Sequence, residues 1–472
     1  MMSQRTATPR RRRVAFKSIL GLGIALGLGL VSVSEASAST YHVYTESAAS
    51  SMTLDANDAF CTLAEAVQHA SGNTRYNCTD HAPSSTEQRI ELKVSPNKPF
   101  STNHFKITSL TLNRQGVRIR IFGSGAFIDS TATYSAFVIP FKSIAFFERV
   151  TLTNVAGSAG GRLVENFGEL GLYGVTITKG NVTGSQHTTG HGGGIFNRNT
   201  QGYPAVISVA QNSLITGNEA RKGGGIYNDS GIIKELKVTI SNNKATLAGG
   251  GIYNFSSTPA GQDWTNGKIV SAQTLVQGNS ARAGGGVFNR GLVELLEGSS
   301  ITGNFTTTTG NSGETCTGSN SCDGLGGGVL SAHLSSGSLT RFQLRKSAFS
   351  NNTASARGGA VYSVGILELA ANTMNDNKAP DGAAIYVASP TDGSQQYCNV
   401  YGNSTYGVAT IKGNIANSGG YSIVSGGPGS ASDFRECTFG GRPTYMTATG
   451  NSSPACNSAA VDSDPNFACP QQ

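Results

Sequence analysis

Apolar and polar residues alternate along this chain in short runs, such as Val206-Ile207-Ser208-Val209 and Val238-Thr239-Ile240. Alternation with period two marks a half-buried β-strand. No long 3.6-residue period appears, and glycine and β-branched residues are too dense for extended helices. One short helix is predicted, from Thr62 to Ala70.

Two phrases recur between the runs. The first reads GGGIFN at 192–197, GGGIYN at 223–228 and 249–254, and GGGVFN at 284–289, with weaker copies at 326–331, 357–363 and 382–387. The second reads Ile215-Thr216-Gly217-Asn218-Glu219-Ala220 and Ile240-Ser241-Asn242-Asn243-Lys244-Ala245, with further copies around Asn279, Asn304, Asn352 and Asn377. The closest spacings are 24 to 26 residues, the length of one solenoid coil. A coil of that size holds too few apolar side chains to bury a core alone. Stacked coils pair their strands in parallel, about 4.8 Å apart, and bury a continuous apolar column. Glycine supplies the backbone angles of tight corners, and asparagine can hydrogen-bond from coil to coil. A β-propeller needs about 40 to 50 residues per blade and repeats too slowly.

The fold expected is all-β, a right-handed parallel β-helix of the pectate-lyase kind. Residues 1–38 are read as a signal peptide and 39–115 as an N-terminal cap containing the helix. Residues 116–412 are read as the coils, with 117–121 and Gly123, Gly125 and Ile128 in the first full rung. Residues 413–472 are read as a cysteine-bearing C-terminal cap.

The leader reading rests on three features in order. Arg10 to Arg13 and Lys17 are basic, 19–33 is apolar, and Ala36-Ser37-Ala38 is a small-x-small cleavage signal. Fifteen apolar residues fall short of the roughly 20 that a membrane span needs. The expectation is therefore an exported protein, secreted or on a bacterial cell surface, with no stable membrane insertion once the leader is removed. Sec and Tat export both stay open. The leader also changes the charge. The whole chain has 35 basic and 28 acidic residues, but six of the former and one of the latter lie in the leader, leaving 29 and 27. With that near-balance, the pI of 8.9 gives no argument for nucleic acid as a partner.

All eight cysteines lie beyond the leader, and an even count in an exported chain points to disulfides. Cys61–Cys78 and Cys316–Cys322 are the local pairs. Cys398, Cys437, Cys456 and Cys469 then pair among themselves in one of three ways. No C-x2-C spacing argues for zinc.

These residues carry a resemblance. The segment 61–67, CTLAEAV, resembles the CSLREAI signature near the N-terminus of many secreted bacterial β-helix proteins, with Ala64 in place of the usual arginine. The GGGIYN and ITGNxA phrases resemble the coils of the same group and of polymorphic outer-membrane β-helix adhesins. The stretch Gly413-Asn414-Ile415 to Tyr421-Ser422-Ile423, with Asp464-Pro465-Asn466-Phe467, is similar to the tail of that group. The resemblance implies fold and export more strongly than activity. The tail shows no obvious sorting helix or transporter barrel, so a covalent or barrel-borne surface anchor is not expected.

A β-helix also carries pectate lyases and polygalacturonases, but fold alone does not assign chemistry. A lyase needs a basic residue and carboxylates that hold Ca²⁺, and a hydrolase needs two or three close carboxylates. The acids here are sparse, namely Asp129, Glu148, Glu165, Glu169, Glu219, Asp229 and Glu235, with Glu165 and Glu169 nearest each other. Gly190-His191-Gly192 matches a short polygalacturonase phrase without its companions, and His187 and His191 lack further metal partners. No catalytic residue, metal or cofactor is assigned, with Ca²⁺ reserved for the lyase alternative. The candidate ligand-binding residues are Phe196, Tyr227, Tyr253, Phe288, Tyr362 and Tyr386, one per corner phrase, with Leu330 the exception. If the preceding Ile or Val points inward, the ring points outward, forming a stripe fit to stack on sugars or on itself. Arg221, Lys222, Arg282 and Arg357 precede several of these corners and suit an acidic glycan. The function expected is engagement of extracellular polysaccharide, matrix or cell surface without catalysis. A polysaccharide lyase with its site beside the inserted loops 255–268 or 305–325 is the first alternative, and a structural envelope or matrix protein the second.

Overall fold

The structure, a computed structural model, describes residues 39–44, 62–73, 86–93, 104–157, 160–183, 190–200, 203–257, 267–307, 315–317, 320–332, 340–388, 397–401, 409–412, 414–416, 423–425, 437–440 and 446–449. The leader expected at 1–38 lies outside them, as do Cys61, Cys78, Cys456, Cys469 and His187.

One coil shows the plan. Strands Val206–Ala210, Leu214–Thr216, Glu219–Lys222 and Ile226–Asp229 follow one another, and the chain then starts again with Ile232–Leu236, Thr239–Ser241, Lys244–Ala248 and Ile252–Phe255. Each strand pairs in parallel with its counterpart one coil on. Ile207 faces Ile233, Ile215 faces Ile240, and Ile226 faces Ile252. The first two strands of every coil feed one 23-stranded sheet, the fourth an 11-stranded sheet, and the third a four-stranded sheet in the middle coils. The chain is a parallel β-solenoid. A small antiparallel hairpin, Thr315–Thr317 with Asn320–Ser321, stands apart within an inserted loop.

The core runs down the axis. Ile177, Ile215, Ile240, Val276, Ile301, Phe349 and Met374 form one continuous column, each almost fully buried. Ile195, Ile226, Ile252, Val287, Val329, Val361 and Ile385 form another on the opposite sheet.

The second phrase encodes a turn and a ladder. The residue just before its asparagine has left-handed backbone at Gly217, Asn242, Gly278, Gly303, Asn351 and Asp376. Those types tolerate that geometry. The asparagine itself turns inward. Asn243 donates through Nδ2 to Ile215 O at 2.9 Å and to Asn279 Oδ1 at 3.0 Å, and its backbone N–H donates to the same Oδ1 at 2.9 Å. The pattern repeats from Asn218 through Asn304, Asn352 and Asn377 to Asn414. A second ladder joins Asn166, Asn197, Asn228, Asn254 and Asn289 and ends on Ser331.

The GGG triplet has two physical causes. Gly249, the first of one triplet, has φ +66°, which a side chain rarely adopts. The second and third lie against the next coil's backbone. A Cβ on Gly250 would stand 2.4 Å from Gly285 O, and one on Gly251 2.8 Å from Gly286 O.

The helix forms as Leu63–Ala70 behind a capping box, in which Thr62 Oγ1 accepts from Glu65 N and Glu65 Oε2 accepts from Thr62 N. The segments expected as caps both contain rungs. Ser39–Tyr44 already stacks in parallel on Glu87–Lys93, which stacks in turn on strand Arg118–Ser130. Beyond 412, Cys437–Gly440 and Met446–Thr449 keep the register of the coils before them. Cys316 and Cys322 are bonded to each other. Cys398 and Cys437 are register partners on adjacent strands.

Candidate functional site

The expected aromatic stripe exists, but it is closed. Phe196, Tyr227, Tyr253 and Phe288 stack nearly parallel, with ring centroids 5.5, 5.0 and 4.9 Å apart. Tyr362 and Tyr386 stack at 5.2 Å beyond Leu330. Alternation does send these rings away from the axial core. They are nevertheless buried, with Tyr253 and Phe288 no more than 1% exposed. Leu247 and Ala248, Ala283, Leu325 and the Cys316–Cys322 pair close over them as a second core. The expectation of an open outer stripe is corrected on that ground, since stacked rings under a lid of side chains present no face to a sugar. Burial also raises the hydroxyl pKa of Tyr362 and Tyr386. Two of the cations noted in the sequence serve the column. Lys222 lies 5.2 Å from the Tyr253 ring centroid and Arg357 5.0 Å from that of Tyr386.

The column changes character at its N-terminal end. On strand Arg162–Asn166, Glu165 occupies the register position of Phe196 one coil on. The segment 160–166, GGRLVEN, is thus a corner phrase carrying charge, and this is the signal that sequence reasoning missed. Arg162 is buried, with its guanidinium 4.6 Å from the Phe196 centroid. Its Nη1 donates to Glu165 Oε1 at 3.3 Å, and Ser135 Oγ donates to Glu165 Oε2 at 2.6 Å.

His191 joins this cluster from the next coil. Its ring stacks on Tyr227 at 4.3 Å, and it is bridged to Lys222 in the coil after. Arg221 N donates to Gly190 O at 2.7 Å, which holds Arg221 beside the same corner. Burial pushes the His191 pKa down to about 3, helped by Lys222, Arg162, Arg221 and Arg198. Arg198 pairs with Asp229 at 3.3 Å, and burial raises the pKa of that carboxyl.

Four cations therefore surround a neutral imidazole and a ring stack, with two carboxylates between them. Each carboxylate is already engaged, Glu165 by Arg162 and Ser135, Asp229 by Arg198. Such a corner can attract and orient an anion. It offers no base beside a nucleophile and no pair of free carboxylates. Glu169, the other half of the nearest sequence pair, faces Ile144 and Val206 in the large sheet, away from the corner strands. Among the described residues, no group of three His, Cys, Asp or Glu is placed to hold a metal ion. Residues 258–266 and 308–314 of the two inserted loops lie outside the description.

A parallel β-solenoid with two asparagine ladders and glycine-triplet corners is the class of protein these features define. Residues 237–254 and 346–364 match the Chlamydia polymorphic membrane protein repeat. The first match runs from the strand before Asn243 through its triplet to Asn254, one full step between the two ladders. The two matches liken these coils to that repeat. No curated protein and no solved structure matches the chain. Among the described residues no helix is long and apolar enough to cross a membrane.

Proposed function

We propose that this chain is exported and works outside the cell, secreted or on its surface, where it engages an extracellular polymer, polysaccharide or matrix, without transforming it. The observation that carries this reading is the repeat match laid on an elongated solenoid. A stack of coils presents long, repetitive faces suited to an extended partner. The engaged carboxylates of the His191 corner favour binding over turnover. The test uses the purified exported protein against acidic and neutral polysaccharides, with and without Ca²⁺. Retention on at least one polymer with no rise in the ultraviolet absorbance of unsaturated uronate ends is expected. A rise would make the chain a lyase, and absence of all retention would end the polymer reading.

A further inference from the structure

We propose that the corner formed by Arg162, His191, Arg198, Arg221 and Lys222 is the binding site for the carboxylate of an acidic sugar residue. This rests on the polymer reading and names its place and chemistry. Three observations meet there. Glu165 and Asp229 are each held by a cation of the corner, Arg162 and Arg198, and Arg221 stands beyond these two pairs. Arg162 is 7% exposed, and its Nε is buried without a hydrogen-bond partner, an unsatisfied donor inside the cluster. Burying such a donor is unfavourable unless something accepts from it. Arg221 is exposed, and among the described residues no carboxylate pairs with it. A carboxylate fits the need better than a neutral hydroxyl, because arginine forks donate to it through two parallel bonds. The Phe196 and Tyr227 rings behind the cluster are fixed by stacking, so the cations are held ready rather than gathered on binding.

His191 makes the site its own reporter. Its proton affinity is depressed in part by the neighbouring cations. An anion seated among them offsets that repulsion, so protonation of His191 moves to higher pH when the site is filled.

The experiment follows the His191 imidazole by NMR in the full exported protein while sodium galacturonate is added. Retention of polygalacturonate and of neutral dextran is measured in parallel. The expected result is a saturable shift of the His191 signals, a rise in the pH at which it protonates, and salt-sensitive retention of polygalacturonate but not dextran. Arg221→Glu, at an exposed position, should weaken both effects roughly tenfold or more. Arg162→Lys keeps the charge but loses the fork, and should fall between. Polygalacturonate retention with unmoved His191 signals, or with unchanged affinity in Arg221→Glu, overturns this site and leaves the polymer reading standing. A galacturonate response with no polymer retained upholds the site and overturns the polymer reading. No response to either removes both.

Discussion

Asn243 and Glu235 lie in the same turn of the solenoid, and each is 1% exposed. Asn243 has its amide hydrogens and its oxygen committed to the coils on either side. Glu235 points into an axial column between Val209 on the preceding coil and Ser271 on the next. Neither of its oxygens has a hydrogen-bond partner. Ser271 favours the charged form weakly, at a geometry short of a hydrogen bond, and burial raises the Glu235 pKa to about 7. The contrast teaches what repetition permits. A polar group is welcome in this core when every coil repeats it, because each donor then finds the next coil's acceptor. A polar group that occurs once finds a hydrocarbon wall.

Breaking the ladder should have the largest effect. Asn279→Leu strips acceptors from Asn243 N and Nδ2 and a donor from Ile240 O. At about 1–3 kcal/mol for each of these three groups, a loss of roughly 3–9 kcal/mol is expected, read as a lower denaturant midpoint and faster hydrogen exchange at residue 243. Little loss would mean that the ladder is ornament on the apolar stack.

Repairing the exception should act in the opposite direction. The unfolded chain releases the Glu235 proton near pH 4.5 and the folded chain near pH 7, so the folded state binds more protons in between. Stability attached to this group is full below about pH 4.5 and is lost as pH rises through 7, by on the order of 3 kcal/mol. Glu235→Val, matching Val209, should stabilise by about that amount at pH 8 and flatten the midpoint between pH 4 and 8. A variant no more stable at pH 8 would show that water reaches the carboxylate. Ser271→Ala should have the smallest effect. It removes the weak support for the charged form and moves the transition to slightly higher pH, by under about 1 kcal/mol in stability. A move to lower pH would contradict the role given to Ser271.

These cases also show what the sequence made legible. The corner phrase, the ladder asparagines and their spacing repeat in the chain itself, so strand register could be read by aligning the chain with itself. Alternation placed Tyr227 and Tyr253 off the axial core correctly. It could not show that Leu247, Leu325 and the Cys316–Cys322 pair close over the column, because the lid comes from other strands and an inserted loop. The His191 corner was hidden for a related reason. Arg162 and Glu165 sit in a copy of the phrase whose glycine and aromatic positions have changed, and only register brings that copy beside Phe196. In the sequence Glu235 is only one of several sparse acids, and it is the facing of its strand that puts it in the core.

The ladder has a further consequence, for inheritance. Asn218 bonds to Asn243, and Asn243 to Asn279, through the same atoms in the same direction. The two are 25 residues apart, one bare coil. An in-frame deletion or duplication of that span therefore joins one asparagine to another like it, with donor still meeting acceptor and apolar column still continuous. Changes that would disrupt most folds are, at these positions, only changes of length. A gene of this kind can vary its reach in whole coils while the asparagine ladder and the apolar column stay continuous.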